Sequence, residues 1–350
     1  MSVFLDGDIQ IIIHSIISEH LSQKNASYYP LNPEEIGDGR LESQPYHFDS
    51  LGLVALATHV GDFFGVKNSG LEEFFLRHRD IKSWVAIIRD SLKRYDSTVT
   101  FMTSGTTGKP KRVEHPLEHI QKEVQYLASL LKGADCIHSF VRPHHIYGFI
   151  YTILLPKALN IPVFYNEPLP NNSFFNTMPN SLIIATPILY SHLDLFSQNF
   201  APKCTLISST QALEPQTYSL LQEKKAYKIY EFYGSSESMG VGYKNSAHEP
   251  FTLFDYHQKS NLPSIQDSLE FIDERHFFVK NREDGLVKYR GYKLDLKGYE
   301  NQLYALKGTI EARVDIAKGS LVCFIKTDDK EALLKEIALL NPRPDQIIWI

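Results

Sequence analysis

The sequence has 350 residues with 43% hydrophobic and 22% charged side chains, and its net charge of −5 gives no basic surface for nucleic acid or an anionic membrane. This composition excludes a wholly disordered chain. No apolar run approaches the ~18–20 residues of a membrane span, and the first apolar stretch follows Asp6 and Asp8, so we predict neither a membrane span nor a signal peptide. The three cysteines are an odd number without metal-ligand spacing, which favours a cytoplasmic protein.

The first predicted region, residues 1–95, is a small helical bundle with a long first loop. Isoleucines at three- and four-residue spacing indicate one buried face of a first helix. These are Ile9, Ile12, Ile13, Ile16 and Ile17. A second helix is predicted from an Asp49 cap to Gly65, and a third begins after Asp80.

The second predicted region, residues 96–282, alternates short β-rich runs with helical segments. Strands are predicted at 99–102, 182–185, 205–207 and 228–232. Helices are predicted at 115–132, 186–198 and 215–225. Such alternation is typical of an α/β layer structure with a largely parallel sheet.

The third predicted region, residues 283–350, has a smaller α+β pattern. Strands are predicted at 286–289, 311–316, 320–326 and 347–350, with a helix at 329–340. The predicted fold class is therefore multidomain: a helical bundle, an α/β core and a small α+β C-terminal domain.

The strongest local motif is TSGTTGKPK at 103–111, directly after the strand that ends at Met102. Its glycines allow backbone N–H groups to turn inward, and its hydroxyls and lysines add donors and positive charge, as a phosphate-binding loop requires. It is not a Walker loop, because Lys109 is followed by Pro110. The alternative reading is a flexible surface turn.

The 103–111 motif resembles the phosphate loop of the acyl-adenylate-forming superfamily, which includes acyl-CoA synthetases and peptide-synthetase adenylation domains. Four further motifs follow in the order of that superfamily. They are RPHHIYG at 142–148, YGSSE at 233–237, NREDGLVKYRG at 281–291 and KLDLKGYE at 293–300. The resemblance implies an adenylate-forming core over 96–282 and a small domain over 283–350 that rotates about a hinge at Asp284.

The resemblance also implies roles for individual residues. Glu237 would hold Mg²⁺ and act with Lys111 in catalysis, while Asp267 and Arg282 would bind the ribose of ATP. The residues that would contact the phosphates are Thr103, Ser104, Gly105, Thr106, Thr107, Gly108, Lys109, Lys111 and Ser236. The residues that would contact the substrate are His145, Tyr147 and Gly234.

The helical region resembles an acyl carrier protein. The matching segments are FDSLGLVAL at 48–56, GDFFGV at 61–66 and RDIKSWVAII at 79–88. The resemblance implies that Ser50 carries a 4′-phosphopantetheine arm, added by a phosphopantetheinyl transferase, and that downstream acyl-transferring enzymes are partners. The alternative is an unmodified Ser50 behind a simple Asp49 helix cap.

These motifs predict ATP-dependent activation of a carboxylic acid as acyl-AMP and its transfer to a phosphopantetheine thiol on this or a neighbouring chain. The alternatives are a catalytically degenerate platform that presents the carrier, and a plain acyl-CoA synthetase. Segment 142–148 has no Asp to meet a substrate ammonium, which favours an aliphatic or aromatic acid over an amino acid.

Two departures from the superfamily bear on these alternatives. Residues 210–213 read TQAL where Gly-Ala-Pro is usual, and the sequence stops at Ile350, where a PxxxxGK lysine segment would follow. On this basis the sequence predicts weak ATP–pyrophosphate exchange by this chain alone.

Overall fold

The computed structural model describes two compact units. The residues described are 3–25, 39–94, 98–103, 111–265, 267–280, 286–289, 292–317, 320–340 and 342–350. Among them, the first unit comprises Met1–Thr103 and Arg112–Ser264, and the second comprises Ile265–Ile350 together with Lys111. Within these described ranges, no helix has both the length and the apolar character that crossing a membrane requires.

The three predicted N-terminal helices are confirmed as α1 (Asp6–Asn25), α2 (Ser50–Phe63) and α4 (Ile81–Leu92). Between α2 and α4 the structure adds a 3₁₀ turn at Val66–Ser69 and a short helix, α3 (Phe74–Arg77), which were not predicted. The Asp49 side chain accepts a hydrogen bond from the Gly52 amide at the start of α2, and Asp80 accepts one from the Ser83 amide at the start of α4. Each aspartate thus satisfies an amide that has no partner inside its helix.

The predicted, largely parallel sheet is also confirmed. Apart from Lys111, the first residue of β2, the following strands lie in the first unit: β1 (Thr98–Thr103), β2 (Lys111–Pro116), β3 (Cys136–Ser139), β4 (Val163–Tyr165), β5 (Ser181–Ala185), β6 (Thr205–Ser208), β7 (Lys228–Ser235), β8 (Met239–Lys244) and β9 (Phe251–Leu253). Strands β1 and β2 pair with each other, and the remaining seven lie in the order β9-β8-β7-β6-β5-β3-β4. From β7 to β4 all neighbours are parallel, whereas β8 and β9 are antiparallel additions.

Helices connect these strands. They are α5 (Leu117–Leu130), α6 (Ile146–Gly148), α7 (Leu155–Leu159), α8 (Pro187–Ser191) and α9 (Pro215–Glu223), with a π-helical turn at Phe149–Leu154 and 3₁₀ turns at Asn172–Phe174 and His192–Leu195. The helix predicted at 115–132 begins two residues later, because His115 and Pro116 end β2. The helix predicted at 186–198 is shorter and continues as the second 3₁₀ turn.

The N-terminal helices share one apolar core with the sheet. The five isoleucines of α1 are at most 2% exposed, and they belong to the same buried cluster as Ile120 of α5 and Ile184 of β5. The Phe4 ring lies 5.4 Å from that of Phe64 and 5.8 Å from that of Phe149. The division into units therefore does not coincide with the predicted domain boundary at residue 95.

The second unit has its own core. Its elements are β10 (Leu269–Phe271), β11 (His276–Val279), β12 (Leu286–Tyr289), β13 (Tyr292–Asp295), α10 (Leu296–Ala305), β14 (Thr309–Ala317), β15 (Ser320–Thr327), α11 (Lys330–Ile337) and β16 (Gln346–Trp349). Strand β15 lies between antiparallel β14 and parallel β16. Asp345 accepts hydrogen bonds from the Tyr289 hydroxyl and the Leu321 amide, which join β12 to the start of β15.

We expect Asp80→Ala to lower the free energy of unfolding by about 1 kcal/mol, because the Ser83 amide loses its acceptor. Asp90→Ala in the same helix is the control, since Asp90 is exposed and its ion pair with Lys93 is exposed too. Urea unfolding followed by circular dichroism measures both. Equal effects of the two substitutions would contradict the capping role of Asp80.

Candidate functional site

The YGSSE motif forms the end of β7 and a tight turn into β8. The Ser235 hydroxyl accepts hydrogen bonds from the Glu237 amide at 3.2 Å and the Ser238 amide at 3.0 Å. The Ser235 amide in turn donates to the Ser238 hydroxyl at 3.0 Å. These bonds hold the backbone of Glu237, the predicted Mg²⁺ ligand, at the carboxyl end of the parallel sheet, where α/β folds place their ligands.

Gly234 is required by the close approach of two backbones. A Cβ at this position would lie 2.1 Å from the Met239 carbonyl oxygen, well inside van der Waals contact. Here the β7–β8 register shifts, between Tyr233 and Gly234. The structure therefore gives Gly234 a role in shaping the turn, while its predicted contact with substrate stays a prediction.

His115 connects β2 to the same turn. Its Nε2 lies 2.5 Å from the Ser236 carbonyl oxygen, and it must carry the proton because a carbonyl can only accept. Burial lowers the pKa of His115, while the Ser236 carbonyl and the nearby Glu237 carboxylate oppose that change. Since β2 begins at Lys111, the last residue of the 103–111 motif, His115 ties the strand that follows the predicted phosphate loop to the Glu237 turn.

Glu123 of α5 holds the start of β8, directly after the turn. Its carboxylate accepts a hydrogen bond from the Gly240 amide at 2.9 Å. Burial raises the pKa of Glu123 to about 7, against the lowering effect of that amide. A Cβ at position 240 would lie 2.6 Å from Glu123 Oε1, so glycine lets the carboxyl group reach the backbone.

The RPHHIYG motif follows β3 and lies against the ends of two strands. The Tyr147 hydroxyl is within hydrogen-bond distance of the Ala185 and Ile207 carbonyl oxygens, at 3.1 and 2.9 Å. Gly148 packs so closely that a Cβ would lie 2.0 Å from the Arg142 carbonyl oxygen. The Tyr147 hydroxyl therefore anchors the segment. The predicted contact of Tyr147 with substrate stays a prediction, and it would involve the aromatic ring.

His144 and His145 differ in environment. The His145 side chain is 49% exposed, whereas that of His144 is 1% exposed and places Nε2 2.7 Å from Glu19 of α1. Burial lowers the pKa of His144, so its imidazole is neutral at neutral pH. Burial alone would raise the pKa of Glu19, but the hydrogen bond from His144 and the nearby charges outweigh it and hold that pKa well below its usual value.

The predicted site residues fall into three groups. In the first unit, the turn that carries Ser236 and Glu237 follows β7, which contains Gly234, while His145 and Tyr147 lie beyond β3. Lys111 and Asp267 belong to the second unit. Those outside the described residues are Ser104, Gly105, Thr106, Thr107, Gly108, Lys109, Arg282 and Asp284, and of Thr103 only the backbone is described.

Sequence reasoning missed the residues that support the turn. Ser235, His115 and Glu123 hold the backbone around Glu237 by hydrogen bonds. His115 carries no clear local signal, because β2 has a single aliphatic side chain in six residues and the helix predicted at 115–132 takes in His115 itself. Glu123 carries no sequence signal, since a carboxylate on an amphipathic helix is usually exposed.

The comparisons with known proteins agree with these motifs. The chain is 30% identical over 268 residues to a 4-coumarate–CoA ligase of Halorhodospira halophila. The aligned region covers 73% of this chain and 68% of that protein. The chain belongs to the acyl-adenylate-forming superfamily. A 4-coumarate–CoA ligase of Rhodobacter capsulatus is 27% identical over 83% of this chain and 80% of its own length. No family model matches the chain.

Solved structures of this superfamily share the fold. An o-succinylbenzoate CoA synthetase of Bacillus subtilis superposes with a TM-score of 0.54 at 14% identity, over 75% of this chain and 70% of that one. A malonyl-CoA ligase superposes with a TM-score of 0.50 at 18% identity, over 72% of this chain and 70% of that one. As a member of the acyl-adenylate-forming superfamily, the chain is an acid–thiol ligase.

We expect Gly234→Ala to lower the free energy of unfolding by about 1–3 kcal/mol, because the added methyl group meets the Met239 carbonyl oxygen. Gly7→Ala is the matched control, since a Cβ there meets nothing within 4 Å. Urea unfolding measures the effect. If Gly234→Ala is as stable as Gly7→Ala, the close approach at the turn is wrong.

The buried Glu123 predicts a pH dependence of stability. The folded chain keeps the Glu123 proton up to about pH 7, whereas the ordinary pKa of a glutamate side chain is 4.5, so stability falls as pH rises between these values. The loss is on the order of 3 kcal/mol. Glu123→Gln should lose less stability between pH 5 and 8 than the unchanged chain.

Glu118→Gln in the same helix is the control, because Glu118 is exposed and pairs with Lys122. Its stability should follow that of the unchanged chain at every pH. Parallel curves for Glu123→Gln and the unchanged chain would show that Glu123 does not hold its proton near neutral pH.

Proposed function

We propose that this chain activates an aromatic carboxylic acid with ATP and transfers the acyl group to the thiol of coenzyme A. The observation that carries the proposal is the 30% identity to a 4-coumarate–CoA ligase, supported by a second relative of the same name. A 4-chlorobenzoate–CoA ligase of Arthrobacter is 25% identical over 49% of this chain. The acids in these names are aromatic, which agrees with the absence of an ammonium-binding Asp in 142–148.

The proposed reaction has two steps. A carboxylate oxygen of the acid attacks the α-phosphorus of ATP, and the bond to the β-phosphate breaks to release pyrophosphate. The thiol sulfur then attacks the acyl carbonyl, loses its proton, and displaces AMP. The protein contributes mainly by positioning the reactants and neutralising charge, because phosphoryl transfer needs little covalent chemistry from side chains.

The residues around Glu237 fit a Mg²⁺ ion by their chemistry. Mg²⁺ prefers carboxylate and hydroxyl oxygens, and Glu237 offers the carboxylate on a turn whose backbone Ser235 and His115 restrain. When bound, Mg²⁺ would neutralise phosphate charge. Glu237 would hold the ion, the Ser236 hydroxyl would meet a phosphate, and Lys111 would add positive charge.

The other predicted ATP contacts form a separate part of the proposal. We assign Asp267 and Arg282 to the ribose and the 103–111 motif to the phosphates, as the superfamily resemblance implies. His145 and Tyr147 would line the acyl site, and rotation at Asp284 would admit the thiol. These assignments rest on motif matches at named positions.

A second thiol is the arm that the carrier resemblance implies on Ser50. Ser50 is exposed as the first residue of α2, beside Leu51 and Val54, which are 80% and 45% exposed. The helices around it share their core with the sheet, which favours an acceptor brought to the site from outside over a carrier that swings within the chain. Coenzyme A is therefore the first candidate.

A ligase assay tests the proposed function. The full chain is incubated with ATP, Mg²⁺, coenzyme A and a panel of aromatic and aliphatic acids, and pyrophosphate release and acyl-CoA mass are measured. We expect turnover of aromatic acids and a loss of roughly 10²-fold or more in Glu237→Gln, because a carboxylate ligand is removed from the reacting phosphates. Glu223→Gln, an exposed change at the end of α9, should retain the rate.

A further experiment separates the two acceptors. The chain is treated with a phosphopantetheinyl transferase, freed of coenzyme A and given ATP and acid, with Ser50→Ala as its control. If the transferase adds the mass of one phosphopantetheine to the unchanged chain and none to Ser50→Ala, the phosphopantetheine is attached to Ser50. Absence of both acyl-AMP and thioester with every acid, from folded protein, would contradict the proposed function.

A further inference from the structure

A cluster of metal-ligand side chains lies where the N-terminal helices meet the RPHHIYG segment. Glu19 of α1, His59 of α2 and His144 beyond β3 each offer one ligand atom, and all three atoms lie within 4.8 Å of one another. The carboxylate oxygen of Glu19 and Nε2 of His144 are only 2.7 Å apart. Three separate elements of the first unit thus converge on one point.

Two of the ligand side chains are oriented by a second hydrogen bond. The Ser15 hydroxyl lies 2.6 Å from Nδ1 of His144, so Nε2 is the atom that faces Glu19. His20 Nε2 lies 3.2 Å from Nδ1 of His59, which leaves Nε2 of His59 for a ligand. A histidine bound to a metal normally donates the N–H of its other ring nitrogen to an acceptor, and the Ser15 hydroxyl oxygen and Nε2 of His20 lie where they can accept it.

We propose that Glu19, His59 and His144 bind one divalent first-row transition metal ion, with Zn²⁺ as the best match. Two imidazole nitrogens and one carboxylate oxygen are a donor set that suits Zn²⁺, whereas Mg²⁺ and Ca²⁺ favour oxygen ligands. Tetrahedral Zn²⁺ places its ligand atoms roughly 3.3 Å apart, so small side-chain rotations complete the geometry.

The fourth position is left to water. The Glu19 side chain is 23% exposed and His59 is only partly buried, so solvent and the ion can reach the cluster. His145 Nε2 lies 3.9 Å from the other Glu19 oxygen, which places this ion beside the predicted acyl site but not in it. The ion would join α1 and α2 to the segment that carries His145 and Tyr147.

Metal titration of the full chain tests the site. Tag-free protein is treated with a chelator, dialysed, and titrated with Zn²⁺ by calorimetry and with Co²⁺ by visible absorption. We expect one ion per chain and, for Co²⁺, the intense absorption of a four-coordinate nitrogen and oxygen site. Glu19→Gln and His59→Gln should weaken binding at least tenfold, and His20→Gln should weaken it by about tenfold through the orientation of His59.

Two controls make the result decisive. His192→Gln removes an exposed histidine outside the cluster and should leave Zn²⁺ affinity unchanged. Glu19→Gln keeps an oxygen that accepts the His144 hydrogen bond, and circular dichroism verifies its fold. The proposal is overturned if the unchanged chain binds no ion, or if it binds one with the same affinity as His59→Gln, because the ion then lies elsewhere.

Discussion

The apolar core that the N-terminal helices share with the sheet is the constraint on which the first unit depends. The isoleucine face of α1 is buried by residues of α2, of α4 and of the sheet region together. Burial of a side chain of this size contributes about 1.5–3 kcal/mol, so the gross contribution of five such residues is comparable to the net stability of a typical domain, about 5–15 kcal/mol. The helices are consequently part of the core of the first unit.

Polar contacts give this apolar interface its register. Lys157 of α7 pairs with Asp8, Arg112 of β2 pairs with Asp62, and Arg142 donates to the Ser18 hydroxyl. Each contact joins an N-terminal helix to a segment of the α/β region near a predicted functional motif. Because removing one partner of a half-buried pair leaves an unsatisfied charge, these contacts specify one packing among many that an apolar surface would allow.

The sequence was most informative where a local rule decides the structure. The caps Asp49 and Asp80, the isoleucine spacing of α1 and the alternation of strands and helices are all properties of short windows. Motif order was equally direct, and the relatives confirm the superfamily that it indicated. Strand β2 was hidden because its burial pattern depends on a neighbour that no window contains.

The supports of the site were not predictable for the same reason. Glu123 meets Gly240, and His144 meets Glu19, across sequence separations of 117 and 125 residues. From sequence alone, a carboxylate or an imidazole is expected to be solvent-exposed, and only the fold shows which groups surround it. Resemblance to an acyl carrier protein was also a local reading, and only the shared core shows how the helices around Ser50 are held.

The contact of the Phe4 ring with the Phe149 ring has a consequence for how the chain is made. During translation at about 5–20 residues per second, roughly 7–30 seconds separate the synthesis of these two residues. For that interval the isoleucine face of α1 has no sheet to cover it and is open to water and to other nascent chains. Expression of this protein therefore depends on how well the cell shields an apolar helix until the middle of the chain has emerged from the ribosome.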